Sequence, residues 1–456
     1  MGQGMIHRFA VNGKKFVLDV NSGALHQVDG LAWELLADFP RPAGGKLPAA
    51  PPGGYPPEEV AGALADIEQL VREGVLFSGD PLDGSWNPPE ETVVKALCLH
   101  LAHDCNLRCR YCFGAQGAFG GPRGLMPAEV ARRAVDFLLR SAGGRRHVEI
   151  DFFGGEPLLN LPVLRETVAY GRAQARRAGK EIKFTLTTNA VLLDEKTGDY
   201  LAENGISVIL SIDGRPQVHD RMRVFPGGRG SYERVAENIS RFLAAHPEAD
   251  YYLRGTFTRK NLDFAADVLH LAGLGFTRLS VEPVVGASPE DCALTEDDLP
   301  AVFAEYERLA AELAERAKNG RPVDFYHFNI DLEGGPCLPR RLTGCGAGVE
   351  YLAVTPEGDL YPCHQFVGRA AFRMGDVRAG VVREDLRELF RGAHVYAKEE
   401  CRRCWAKFLC GGGCHAGAAA VNGDIKKPGP LACRIVKKRL ECALYYRAVL
   451  AEPGLA

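Results

Sequence analysis

Apolar positions follow three different rhythms along the 456 residues. From residue 6 to 28 short runs are broken at Asn12-Gly13 and at Asn21-Ser22-Gly23, which predicts a three-strand meander over 6–11, 15–19 and 24–28. Helical spacing follows at 30–39, where Leu31, Leu35 and Leu36 share a face, and at 57–73, where Val60, Leu64, Ile67 and Leu70 or Val71 do. The Pro/Gly-rich stretch 41–57 between them reads as a linker, as does 80–92. From about 93 to 310 the rhythm changes to continuous apolar runs that alternate with amphipathic helices. Runs at 95–101, 148–153, 182–188, 207–212, 251–258 and 279–284 read as buried parallel strands. Six β/α units of this kind predict an α/β fold, a partial (β/α)6 TIM-like barrel whose chemistry gathers at the C-terminal strand ends. Residues 330–456 are organised by cysteines instead, and close on a helix over 431–451. The expected domains are therefore 1–90, 93–310 and 330–456.

Composition narrows the function. A net charge of −3 with no run of like charges gives no pull toward nucleic acid. No stretch of about 18 apolar residues is present and residues 1–16 lack an apolar signal core, so a cytoplasmic protein that does not enter the membrane is expected. In that compartment 14 cysteines point to metal or cluster ligation rather than disulfides.

The stretch HDCNLRCRYCF places Cys105, Cys109 and Cys112 as CxxxCxxC. Three thiolates so spaced can hold three corners of a 4Fe–4S cube and leave the fourth iron open; a structural zinc knuckle or chance would use the same residues. The loops after the next three apolar runs carry FFGGEP, TTNA and SIDG. In this order the motifs resemble those of the radical S-adenosylmethionine (SAM) enzymes, with Tyr111 as the aromatic before the last cysteine. The resemblance implies that SAM chelates the open iron and that one electron from the cluster cleaves it to a 5′-deoxyadenosyl radical. It further implies that Gly154, Gly155 and Glu156 meet the SAM amino group, that Ser211 and Asp213 hold the ribose, and that Asn189 and Arg223 lie near the SAM carboxylate. Such open clusters are oxygen-labile, which suggests an anaerobic host. Cys98, inside the first strand, reads as an inert core thiol, and Cys292 has no partner pattern.

Further on, Cys345 and Cys363 flank Gly358, and Cys401, Cys404, Cys410, Cys414 and Cys433 follow. Taken alone, Cys401, Cys404, Cys410 and Cys414 would serve a zinc ribbon as well as a cluster. The full series resembles the SPASM extension of radical SAM enzymes that act on peptides. That resemblance implies one auxiliary 4Fe–4S cluster on Cys345, Cys363 and Cys414 and another on Cys401, Cys404, Cys410 and Cys433, making three 4Fe–4S clusters in all. Cys337 is a candidate fourth ligand of the first auxiliary cluster; without it that cluster has an open iron for a substrate thiolate. Cys442 reads as structural. His364 stands where sulfatase-maturing relatives carry an aspartate proposed as a base, a departure that counts against that activity.

The N-terminal segment resembles the winged-helix-like element that grips the leader of a ribosomally made precursor peptide by strand addition; a plain cap over the barrel is the alternative. IHRF, LCLHLAHDCNLRCRYCF, GCGAGVEYLAVTPEGDLYPCHQFVG and CWAKFLCGGGCHAG together resemble the maturases of six-cysteine (SCIFF) peptides. This implies thioether cross-links between peptide cysteine sulfur and carbon, with an external one-electron reductant. Formylglycine or carbon–carbon bond formation on the same scaffold, and a non-catalytic iron–sulfur peptide-binding or electron-transfer protein, are the competing readings.

Overall fold

The computed structural model describes residues 4–37, 54–80, 82, 86–285, 291–330, 332 and 338–451. Cys337, the end of the helix expected over 30–39, and most of the first linker lie outside the described residues.

Strands β1 (Ile6–Val11), β2 (Lys14–Asp19) and β3 (Leu25–Val28) form the antiparallel meander, in the order β1-β2-β3. Asn12 and Gly13 both take positive φ at the first turn, the conformation a two-residue hairpin requires. Helix α1 (Gly30–Leu35) starts at Asp29, whose carboxylate accepts from the Ala32 N–H at 2.8 Å. Helix α2 (Pro57–Arg72) buries Val60, Leu64 and Ile67, as its spacing predicts. These side chains pack with Val17, Leu31 and Leu35 into a small core of their own.

The central unit carries β4 (Ala96–Ala102), α3 (Ala128–Ser141), β5 (His147–Gly154), α4 (Leu161–Arg177), β6 (Glu181–Thr188), α5 (Glu195–Glu203) and β7 (Ser207–Ser211). It continues through α6 (Pro216–Met222), α7 (Tyr232–Ala245), β8 (Tyr251–Phe257), α8 (Phe264–Gly273), β9 (Arg278–Pro283), α9 (Leu299–Lys318) and β10 (Asp324–Phe325). β4 to β9 pair in parallel and in sequence order, as the apolar runs predict, and the short β10 adds a further parallel strand beyond β9.

The cysteine-rich unit begins with α10 (Leu338–Thr343) and the strands β11 (Tyr351–Val354), β12 (Asp359–Tyr361), β13 (Gly375–Asp376) and β14 (Gly380–Val381). Here β11 pairs in parallel with β4, Cys98 opposite Ala353, so the C-terminal hairpin is continuous with the barrel sheet. The expected hairpin turn is present, with Gly358 at φ +95°. Helices α11 (Glu384–Arg391), α12 (Glu399–Arg402), α13 (Lys407–Cys410), α14 (His415–Asn422) and α15 (Pro430–Leu450) complete the chain. α15 packs along α9 and carries Cys442 fully buried, in a structural position.

The meander is seated on this C-terminal unit. The His7 ring stacks on Trp405 with centroids 3.8 Å apart, and its Nε2 lies 2.9 Å from Glu441. At the linker that follows, Asp80 accepts from Tyr396 and pairs with buried Lys407 at 2.6 Å.

Candidate active site at the C-terminal strand ends

The loop after β4 delivers Cys105, Cys109 and Cys112 to the wall of one cavity. Two backbone bonds anchor the loop: the Arg108 N–H donates to the Val224 carbonyl and the Arg110 N–H to that of Met222. Burial pushes the Cys105 and Cys109 thiols up to about 12. Such thiols stay protonated until a thiophilic metal displaces the proton, and a soft sulfur donor set suits iron–sulfur chemistry.

The paired glycines after β5 act on this loop. A Cβ at Gly155 would lie 2.1 Å from the Asp104 carbonyl oxygen, and one at Gly154, whose φ is +135°, would lie 2.3 Å from that of Ala102. Only glycines let the end of β5 press against the cysteine loop this closely. Both glycines also line the cavity.

Glu156 is fully buried, and its carboxylate accepts from Thr188 Oγ1 at 2.7 Å, the Asn189 N–H at 2.8 Å and the Leu158 N–H at 3.0 Å. It therefore fixes the end of β6, and it does not stand among the residues that line the cavity. Asn189 does line it; its Nδ2 donates to Asn106 at 2.7 Å and lies 3.6 Å from the Cys105 sulfur.

Ser211, Tyr111 and Arg223 also face the cavity, whereas Asp213 lies behind them with no exposed surface. Its carboxylate accepts from Tyr111 Oη at 2.7 Å, Arg223 Nε at 3.0 Å and the Thr256 N–H at 3.0 Å. In this arrangement Asp213 orients Tyr111 and Arg223. Burial works against the Arg223 charge, but the adjacent Asp213 carboxylate outweighs it and raises the guanidinium pKa. A fixed positive charge thus faces the site where a carboxylate ligand is expected. Cys292, without a motif in the sequence, packs behind the loop against Tyr111 and Met222.

The wall also carries polar residues that no motif singled out, among them Arg254 and Thr256 on β8 and Glu282 on β9, and it includes His364 beside Cys363. Arg254 Nη2 bonds Glu282 at 2.7 Å. Burial would raise the Glu282 pKa, but Arg254 and His327 hold it down at about 2. Burial, helped by Arg254, lowers His364 to about 4, and its Nδ1 is buried with no hydrogen-bond partner among the described residues. A charged residue inside an otherwise apolar strand was the available signal for Arg254 and Glu282.

Burial raises the thiol pKa of Cys345, Cys363, Cys401 and Cys433, and neighbouring cysteines add to the shift: Cys345 and Cys414 at Cys363, and Cys410, Cys433 and Cys404 at Cys401. Among the described residues no three Cys, His, Asp or Glu side chains stand together closely enough to hold a metal ion. The turn between Cys410 and Cys414 is three glycines at φ +69°, +91° and +77°, a path closed to most side chains. Cys98 is buried against the hairpin, 1% exposed, as a core thiol.

Comparisons with known proteins fall on this parallel sheet and on the cysteine-rich unit beyond it. Residues 99–252 match the Radical SAM superfamily model, and residues 345–405 match SPASM, an iron–sulfur cluster-binding domain. The two matches fall on the central unit and on the cysteine-rich unit, in that order. A serine-type anaerobic sulfatase-maturating enzyme of Klebsiella aerogenes is 27% identical over 358 residues, 74% of this chain and 83% of the relative. Among solved structures, native anSMEcpe with bound AdoMet has a TM-score of 0.65 at 22% identity, covering 78% of this chain and 99% of that one. SuiB of Streptococcus suis, bound to precursor peptide SuiA, has a TM-score of 0.51 at 15% identity, covering 94% and 100%. These structural likenesses speak to the fold. No helix among the described residues is long and apolar enough to cross a membrane.

Proposed function

We propose that this protein is a radical SAM peptide maturase that installs thioether cross-links in a cysteine-rich, ribosomally made precursor peptide. The observation that carries the reading is that Cys105, Cys109 and Cys112 share one cavity with His364, the neighbour of Cys363 in the C-terminal array. A thioether needs an activated carbon and a sulfur held side by side, and a cavity bordered by the three cysteines and by the neighbour of Cys363 supports that reading.

When bound, the three-cysteine cluster with SAM would supply the hydrogen-abstracting radical, and the auxiliary clusters would bind sulfur or accept the released electron. The chain's own residues do the rest. Arg223, held by Asp213, offers its charge to the SAM carboxylate, and Asn189 stands beside Cys105. The Arg254–Glu282 pair presents both signs to a peptide entering from the opposite wall. His364 is neutral at pH 7, so one ring nitrogen is available to accept a proton from a peptide thiol. β1 and β3 are the outer strands of the meander, where a leader could add a strand.

Sulfatase-maturating relatives favour formylglycine formation as the second reading. One experiment separates the two. The protein is incubated anaerobically with SAM, reductant and a cysteine-rich precursor peptide, then the peptide is weighed before and after thiol alkylation. Thioether formation removes two hydrogens and one alkylatable thiol per link, with the sulfur retained. An aldehyde in place of the thiol would support formylglycine, and an unchanged mass would refute both.

A further inference from the structure

Lys398 is 1% exposed and stands just before α12, three residues ahead of Cys401. Its Nζ donates to the Gly412 carbonyl at 2.7 Å. Gly412 takes φ +91°, and a Cβ there would lie 3.3 Å from the ammonium, so the glycine turn clears the space the charge occupies. Among the described residues, no carboxylate stands within ion-pair distance of Lys398. Lys407, another buried lysine of the same unit, has Asp80 at 2.6 Å. A buried ammonium with no anionic partner is strongly disfavoured.

The carbonyl that Lys398 bonds belongs to the glycine turn between Cys410 and Cys414, one cysteine of each expected set, and Cys401, Cys410, Cys345 and Cys414 interact with the ammonium, as do the imidazoles of His394 and His415. Burial opposes the charged ammonium and these four sulfurs favour it. As neutral thiols they would balance nothing; as ligands of two net-negative clusters they would supply the anionic charge that the ammonium lacks.

We propose that Lys398 is the shared counter-ion of two auxiliary iron–sulfur clusters and sets the reduction potentials of both. The inference rests on the reading that the two expected cysteine sets each hold a cluster. Each one-electron reduction adds negative charge beside the ammonium. In a site of low dielectric the fixed positive charge favours the reduced form and raises the potential. One side chain thereby tunes the acceptor near the cavity and the more distant one together.

The test uses the full chain, reconstituted anaerobically, in a Cys105→Ala, Cys109→Ala, Cys112→Ala background so that only the auxiliary clusters report. Lys398→Met removes the charge and keeps the length; Lys398→Arg keeps the charge. Iron content and EPR-monitored redox titrations are read on all three proteins. Lys398→Met should make reduction of both clusters at least about tenfold less favourable, a downward shift of about 59 mV or more. Lys398→Arg should stay within about threefold of the parent, where 59 mV is tenfold. Loss of iron in Lys398→Met alone would also support a required charge. Full iron with unmoved potentials in Lys398→Met, equal shifts in both variants, or iron loss in both would overturn the proposal. A parent protein without auxiliary clusters would overturn the cluster reading itself.

Discussion

Replacing Asp213 by asparagine isolates the network that orients the cavity wall. The carboxylate is fully buried and receives Tyr111 Oη, Arg223 Nε and the Thr256 N–H. Asparagine has the same shape, but its amide nitrogen is a donor facing donors, and Arg223 loses its counter-ion. Breaking a buried pair from one side costs about 3–5 kcal/mol, a large part of a typical total of about 5–15 kcal/mol. The assay is urea denaturation of the full chain, read as a midpoint shift at unchanged slope. Arg223→Met and the double variant complete a cycle. Since the double variant buries no unpaired charge, it should be less destabilised than the sum of the singles by at least about 1 kcal/mol. A cost below about 1 kcal/mol for Asp213→Asn, or additivity within about 0.5 kcal/mol, would refute the role given to this pair.

Three other outcomes follow from the same geometry. Gly155→Ala drives a Cβ into the Asp104 carbonyl, so reconstituted protein should lose about 4 of about 12 irons while the auxiliary clusters stay, as counted by iron analysis. Arg254→Met removes the cation from the wall opposite the cysteines. Peptide modification should fall at least about tenfold, equivalent to about 1.4 kcal/mol, while SAM cleavage without peptide is retained; parallel loss of both would show that Arg254 serves the SAM site instead. Burial holds His219 near 4, below an unfolded value near 6.5, so the unfolded state binds the extra proton between these values. Its contribution to stability is complete above about 6.5 and is lost as pH falls toward 4, up to about 3 kcal/mol in all. His219→Gln should flatten the urea-midpoint profile in that window, and an unchanged profile would count against the burial argument.

The six parallel strands were legible because strands buried on both faces read as unbroken apolar runs. The cysteines and cavity glycines were legible because several motifs occur in a characteristic order; spacing by itself left a zinc site open and did not divide the C-terminal cysteines into sets. Glu156 and Asp213 show where motif reading stops: the sequence marks them as important, but whether a carboxylate faces a ligand or its neighbours is decided by packing. Arg254 and Glu282 were hidden for the opposite reason, since they sit within strands whose apolar neighbours dominate the pattern. The pairing of β11 with β4 joins segments far apart in the chain, and no local signal encodes it. Lys398 is an ordinary surface residue by sequence and becomes unusual only once its burial beside cysteines of both expected sets is seen.

The most direct test of the account is iron and zinc per chain after anaerobic reconstitution, repeated on the variant lacking Cys105, Cys109 and Cys112. A barrel cluster and two auxiliary clusters predict about 12 irons, falling to about 8 in the variant, with no stoichiometric zinc. About 4 irons with zinc bound to the C-terminal cysteines would contradict it, because the cavity would then lack both its electron acceptor and its sulfur-binding partner.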